Sequence, residues 1–150
     1  MALHRAEQIM AKLLTTLKAI STPTVAAGDM QRDRIDPFES DYGLSLEQGA
    51  DDIIEGSDEN VSVMDSLLDV EVVVHVKKLA DVSTVLNQIR KEVYVAFMAS
   101  YTQGLSFVLD TRYLGADKPL RFDEAENGVM EQTINFQIKY RHSLTDPSAD

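Results

Sequence analysis

The sequence predicts an α+β domain, with two amphipathic helices packed on a mostly antiparallel sheet of about four to five strands and one long acidic loop. Three observations predict it. From Gly128 to Arg141 apolar and polar residues alternate, with Met130, Ile134, Phe136, Ile138 and Tyr140 on one face. From Leu68 to Val76 the alternation recurs in β-branched residues. Residues 2–20 and 82–101 instead repeat their apolar positions at helical spacing. A period of two belongs to strands and one near 3.6 to helices.

In chain order, residues 2–20 place Leu3, Ala6, Met10, Leu13, Leu14 and Leu17 on one helical stripe, with Arg5, Glu7, Gln8, Lys12 and Lys18 elsewhere on the wheel. Ser21-Thr22-Pro23 ends that helix, because the residue before proline avoids the helical region. Its polar side is too sparsely basic to bind anionic lipid, so it reads as a core-covering helix. Thr24 to Ile35 reads as a strand with a bulge at Gly28, and Asp36-Pro37 opens a turn. Tyr42, Leu44 and Leu46 alternate with Gly43, Ser45 and Glu47 in a second short strand. Gln48 to Glu59 carries five acids and two glycines, which predicts a flexible acidic loop or arm over residues 48–60. The valine-rich third strand follows. Asp81 or Ser83 is placed to cap the second helix, whose stripe is Val82, Val85, Leu86, Ile89, Val93, Ala96 and Phe97. Gly104 is the expected left-handed cap. Leu105 to Tyr113 alternates as a fourth strand, and a polar connection from Gly115 to Asn127 leads to the last one. Residues 1–142 form the expected single domain, and 143–150 a polar tail.

The 150 residues suffice for a real core, and 44% of them are hydrophobic. Cysteine is absent, which excludes disulfides and thiolate-bound metals. No run approaches the ~20 apolar residues of a membrane span, and Met1 to Arg5 opens no secretion signal. The net charge of −11 is concentrated: residues 29–65 hold 12 of the 25 acids against Arg32 and Arg34 alone. Phosphate recognition needs clustered bases, and none occurs, so sequence-specific nucleic-acid binding is not expected.

Chemical machinery is equally scarce. His4, His75 and His142 share no ligand spacing, and no nucleophile elbow, zinc helix or phosphate loop is present. Asp123 to Gly128 resembles a calcium loop only until Ala125 and Ile134 fill two ligand positions. Neither cofactor nor metal is expected. A catalytic alternative uses Asp51, Asp52, Glu55 and His75 as a small acidic hydrolase or ligand-binding site, but those acids lie in polar sequence. The expected contacts with other subunits or partners are Arg32 and Arg34, which share a strand face; Asp51, Asp52, Glu55, Asp58 and Glu59 of the acidic segment; and Asp117, Lys118 and Arg121 of the late connection. The polar face of the last strand, Glu131, Asn135, Gln137, Lys139 and Arg141, adds a sheet-face surface that no helix of the chain is left to cover.

The order of these elements is similar to a known family. An N-terminal helix, a strand ending in Arg32-Asp33-Arg34, an Asp-Pro-Phe turn and the strand Tyr42 to Glu47 resemble the front half of the tail terminators, the minor tail proteins of long-tailed bacteriophages. The valine-rich strand, the helix 82–101 and the closing strand through Ile134-Asn135-Phe136-Gln137-Ile138-Lys139-Tyr140 resemble the back half. Tyr42-Gly43 stands where family members often carry a proline. The resemblance implies a virion protein and not an enzyme: a hexameric ring of this chain at the head-proximal end of the tail. It caps the tail tube protein and stops its polymerisation. Its other face meets a head-side connector protein, and duplex DNA passes through the lumen. A head–tail joining (neck) protein is the alternative within the same class.

Overall fold

The computed structural model describes residues 4–21, 25, 29–33, 41–54, 63–77, 82–122 and 129–143, and among these two helices of several turns and six strands are laid out in full. Helix α1 spans Arg5–Lys18 and buries Ala6, Ile9, Met10, Leu13 and Leu17, a stripe three and four residues apart. His4 caps it, its Nδ1 accepting the N–H of Ala6 at 3.0 Å. Arg5 was expected on the wet side but is only 6% exposed. Its guanidinium lies 4.5 Å from the centre of the Phe107 ring and donates through Nη1 to the Arg141 carbonyl at 2.6 Å, binding the start of the helix to the end of the last strand.

The strands are β1 (Asp29–Arg32), β2 (Tyr42–Ile53), β3 (Val63–Lys77), β4 (Val108–Ala116), β5 (Leu120–Phe122) and β6 (Val129–Ser143), and helix α2 spans Val82–Met98 between β3 and β4. They form one sheet in the order β1-β2-β3-β6-β4, with β5 beside β6 beyond the end of β4. All pairings are antiparallel except β1 with β2. The centre is the β3–β6 pair, in unbroken register from Val63↔Ser143 to Lys77↔Val129. Its buried face presents Leu68, Val70, Val72, Val74 and Val76 beside Ile134, Phe136, Ile138 and Tyr140, all fully buried. Helices α1 and α2 supply the opposing layer through Leu13, Leu17, Ile89, Val93 and Phe97. Phe136 is the pivot, its ring centre 4.8 Å from Phe97 of α2 and 5.5 Å from Tyr113 of β4.

Four expectations are corrected in extent. The strand assigned from Thr24 begins at Asp29, and Val25 is helical and fully buried; the bulge placed at Gly28 lies outside the described residues. The acidic loop is shorter than its composition suggested, because β2 continues through Gln48–Ile53. The repulsion is relieved there by alternation, which sends Asp51 and Asp52 to opposite faces. It is relieved also by Tyr140, whose hydroxyl donates to Asp51 Oδ2 at 2.6 Å. The register shifts between Gln48 and Asp51, and Gly49 fits that bulge because a Cβ there would stand 3.1 Å from Asp69 Cβ. Residues 55–60 of the expected loop lie outside the described residues. The helix predicted to run to Tyr101 ends at Met98, and Ser83 lies inside its first turn rather than capping it; Asp81 is not among the described residues. Gln103 and Gly104 both take left-handed backbone, and Gln103 closes the helix by donating to the Phe97 carbonyl at 2.8 Å. Finally, the late connection contains the three-residue strand β5.

An ion pair joins the helical layer to the sheet. Arg32, ending β1, grips Glu7 of α1 with two donors, one through Nη1 and one through Nη2 at 2.7 Å. The hydrogen bond to Arg32 holds the Glu7 carboxyl below its ordinary value of 4.5. A carboxyl lowered on folding stabilises above its unfolded pKa, and that contribution disappears as pH falls through the folded value. The Glu7 side chain is 39% exposed, so screening keeps the contribution under about 1 kcal/mol. Urea unfolding at pH 7 is expected to find E7Q less stable than the parent by that amount. At pH 3 the difference should shrink, and an undiminished difference would refute the assignment.

Candidate interaction surface

Because β3 and β6 alternate in register, their odd-numbered residues share the face opposite the helices. That face carries Asp65, Leu67, Asp69, Glu71, Val73, His75 and Lys77 of β3 beside Glu131, Thr133, Asn135, Gln137, Lys139 and Arg141 of β6. Asp110 and Arg112 of β4 pair with Lys139 and Gln137, and Glu47 and Asp52 of β2 with Glu71 and Leu67. Neither helix reaches it. Acids therefore outnumber bases: Glu47, Asp52, Asp65, Asp69, Glu71, Asp110 and Glu131 stand against Lys77, Arg112, Lys139 and Arg141.

The face is closed at one end and open at the other. Near the start of β6, His75 is 7% exposed and meets Glu131 Oε1 through Nδ1 at 2.9 Å, and neighbouring Ser45 is buried. Toward the end of β6, Asp110, Arg112 and Arg141 are exposed. Gln137 Nε2 donates to Asp69 Oδ1 at 3.1 Å, and Arg141 Nε to Asp65 Oδ1 at 2.9 Å. The Asp65 hydrogen bond raises the Arg141 pKa above its ordinary value. A shallow hollow of about 260 Å³ opens here between Ile54, Leu67, Asp110, Arg112, Gln137 and Lys139.

Among the described residues the sheet also has two open edges. Beyond Leu46 the outer edge of β2 has no strand partner among the described residues, and all of Gln48–Ile53 is exposed. At the other side β4 is the terminal strand, continued by β5. Two apolar side chains stand on the polar-face side of that edge: Leu114, 53% exposed at a register shift in β4 and lining a hollow with Asp69, Glu71 and Asn135, and Leu120, 60% exposed in β5 opposite Glu131. Sequence reasoning passed over both. The signal was Tyr113-Leu114, two large apolar residues in succession, which breaks strict alternation and marks the bulge.

The sequence-predicted contact residues divide accordingly. Glu131, Asn135, Gln137, Lys139 and Arg141 do lie together on the one polar face. Asp117 and Lys118 are exposed, and Asp117 Oδ1 accepts from Asn135 Nδ2 at 3.1 Å, which brings the late connection to that same face. Arg121 pairs through its backbone with Met130. Arg32 is occupied by Glu7 and faces the helical layer instead. Asp51 is on the helix side, bound to Tyr140, whose pKa is pushed far above its usual value by burial and then by that carboxylate. Arg34, Glu55, Asp58 and Glu59 lie outside the described residues. Nor are Asp51, Asp52 and His75 of the catalytic alternative assembled. Asp51 pairs with Leu68, seven residues along β3 from His75, on the order of 23 Å at strand rise, and Asp52 lies on the other face from Asp51. Among the described residues no three acids or histidines are grouped to hold a metal ion, and no helix is long and apolar enough to cross a membrane.

No protein-family model matches the sequence, and no curated protein matches it. Solved structures do share its fold. A chain described as "Virion of native gene transfer agent (GTA) particle" superimposes with a TM-score of 0.59 over 89% of this chain and 94% of that chain, at 17% sequence identity.

Proposed function

We propose that this chain is a structural protein of a phage-like virion, and within that class a tail terminator. The observation that carries the reading is the end-to-end fold likeness to a chain of a gene transfer agent virion, which leaves almost nothing of either chain unaccounted for. The geometry suits the role. A sheet with different open edges at its two sides suits a heterologous contact, the β2 edge of one copy meeting the β4–β5 edge of the next, and such contacts form a ring when the rotation between copies closes. The polar face of the sheet is then free to line a channel. Its excess of acids would repel a passing duplex rather than grip it, the opposite of a phosphate-binding surface. One rim of the ring meets the tail tube protein and the other the head-side connector, and the chain is not an enzyme in this reading.

Deleting the gene in its phage is the direct test. Overlong tails, or tails without heads, are the expected result. Normal tails on filled heads overturn the proposal, and normal-length tails that fail to attach shift the role to neck protein. In solution, light scattering of the purified chain with tube protein should find a species containing about six copies of the 16.7 kDa subunit.

A further inference from the structure

On the far side of the molecule from the polar sheet face, α1 and α2 diverge around a groove of about 590 Å³. Its walls are Thr15, Thr16, Ala19 and Ile20 on one side and Val95 and Ala96 on the other, with Lys12, Gln88 and Lys91 at the rim. The threonine hydroxyls are already satisfied, Thr15 donating to the Ala11 carbonyl and Thr16 to that of Lys12, each at 3.0 Å. To a ligand the walls are therefore mostly carbon, and Val95 is 58% exposed.

Glu92 is the exception. It lines this groove yet is only 7% exposed. Oε1 accepts a long bond from Gln88 Nε2 at 3.4 Å, while Oε2 is buried without a hydrogen-bond partner. Lys12 does not answer it, since its ammonium lies against Gly104, 3.9 Å from where a Cβ would stand there. A buried carboxylate oxygen with no donor is costly, and a helix sequence free to vary has cheaper choices at such a position. The carboxylate torsion is broad and two-fold, so either oxygen can turn to a donor entering the groove.

We infer that the groove between α1 and α2 is a docking site for an apolar segment of a partner protein that inserts one arginine side chain against Glu92. Charge selects the occupant: the unsatisfied group is a carboxylate whose Oε2 has no donor, with Lys12 and Lys91 at the rim rather than on it, so a cationic side chain is favoured at that point of the groove. The surroundings select arginine, whose guanidinium is less strongly hydrated than an ammonium and offers two parallel donors to a carboxylate. Its stem packs on Ile20, Val95 and Ala96. The inference does not depend on the terminator reading, because any cationic partner with this motif satisfies it.

The test uses the intact chain and two capped peptides that differ at one side chain, arginine in one and citrulline, its neutral isostere, in the other, each flanked by alanine and leucine. Amide chemical shifts of residues 15–20 and 88–96 are followed during titration. The arginine peptide is expected to bind at least about tenfold more tightly than the citrulline peptide, the range of a charge-assisted hydrogen bond. Glu92→Gln should abolish that preference while raising the Tm of the free protein by about 2–4 °C, as an orphaned charge is removed. Equal binding of the two peptides, shifts confined to other residues, or no shifts at all would overturn the inference. So would a fall in Tm for E92Q, which would make Glu92 a satisfied structural group. A change in self-association of E92Q alone would also count against it, since the occupant would then be a second copy.

Discussion

Phe136→Ala is expected to lower the unfolding free energy by about 3–5 kcal/mol, the usual range for emptying a fully buried aromatic site. The side chain has no exposed surface, and it bridges Phe97 of α2 and Tyr113 of β4 across the middle of the core. Its loss leaves a cavity at the junction of the two layers, where neither a helix nor the central strand can collapse cheaply. Against a total stability of roughly 5–15 kcal/mol for a domain, that is a large fraction, and Tm should fall by on the order of 6–20 °C. Its neighbour sets the contrast. Gln137 is half-buried on the polar face and donates to Asp69, so Gln137→Ala should cost about 1 kcal/mol. Urea unfolding of both variants measures the alternation of β6 directly, and similar costs for the two would mean the assigned register is wrong.

That contrast also shows why some of this fold was legible in the sequence. In β3 and β6 one face is buried along the whole strand, so every second residue must be apolar and the period of two is written into the composition. The helices were legible for the same reason, each having a single face against the sheet. What escaped reading is held by groups outside any one period. The outer half of β2 is exposed on both faces, so its composition is that of a loop, and it is a strand only because β3 offers a backbone ladder beside it. The parallel pairing of β1 with β2 depends on a crossover that no local pattern encodes. Arg5 is buried because a ring and a carbonyl 102 and 136 positions away receive it. Of the candidate surface, the polar face of β6 could be read from alternation alone. The unpaired state of Glu92 could not, because it is set by which side chains fail to reach it.

Leu114→Lys with Leu120→Lys should leave the subunit folded and abolish the ring. Both side chains are more than half exposed in the isolated subunit, so replacing them shifts its stability by no more than about 0.5 kcal/mol. In the proposed ring the next copy adds along the β4–β5 edge and covers them from the polar-face side of the sheet. Covering the exposed half of a leucine is worth about 1 kcal/mol, and each lysine must also bring its charge into the contact or bend away from it. The pair therefore removes roughly 2 kcal/mol per interface at the least. A closed ring repeats this penalty at every interface, so a ring of about six copies loses on the order of 12 kcal/mol, or eight to nine powers of ten in its assembly constant. No single-site change in a monomer is amplified in this way. Light scattering should find the double variant monomeric at concentrations where the parent forms rings, with unchanged urea unfolding. Ala11→Lys, an exposed substitution on α1, should assemble like the parent. A double variant that still closed its rings would show that the β4–β5 edge is not where copies meet, and the sheet edges would lose their place in the assembly.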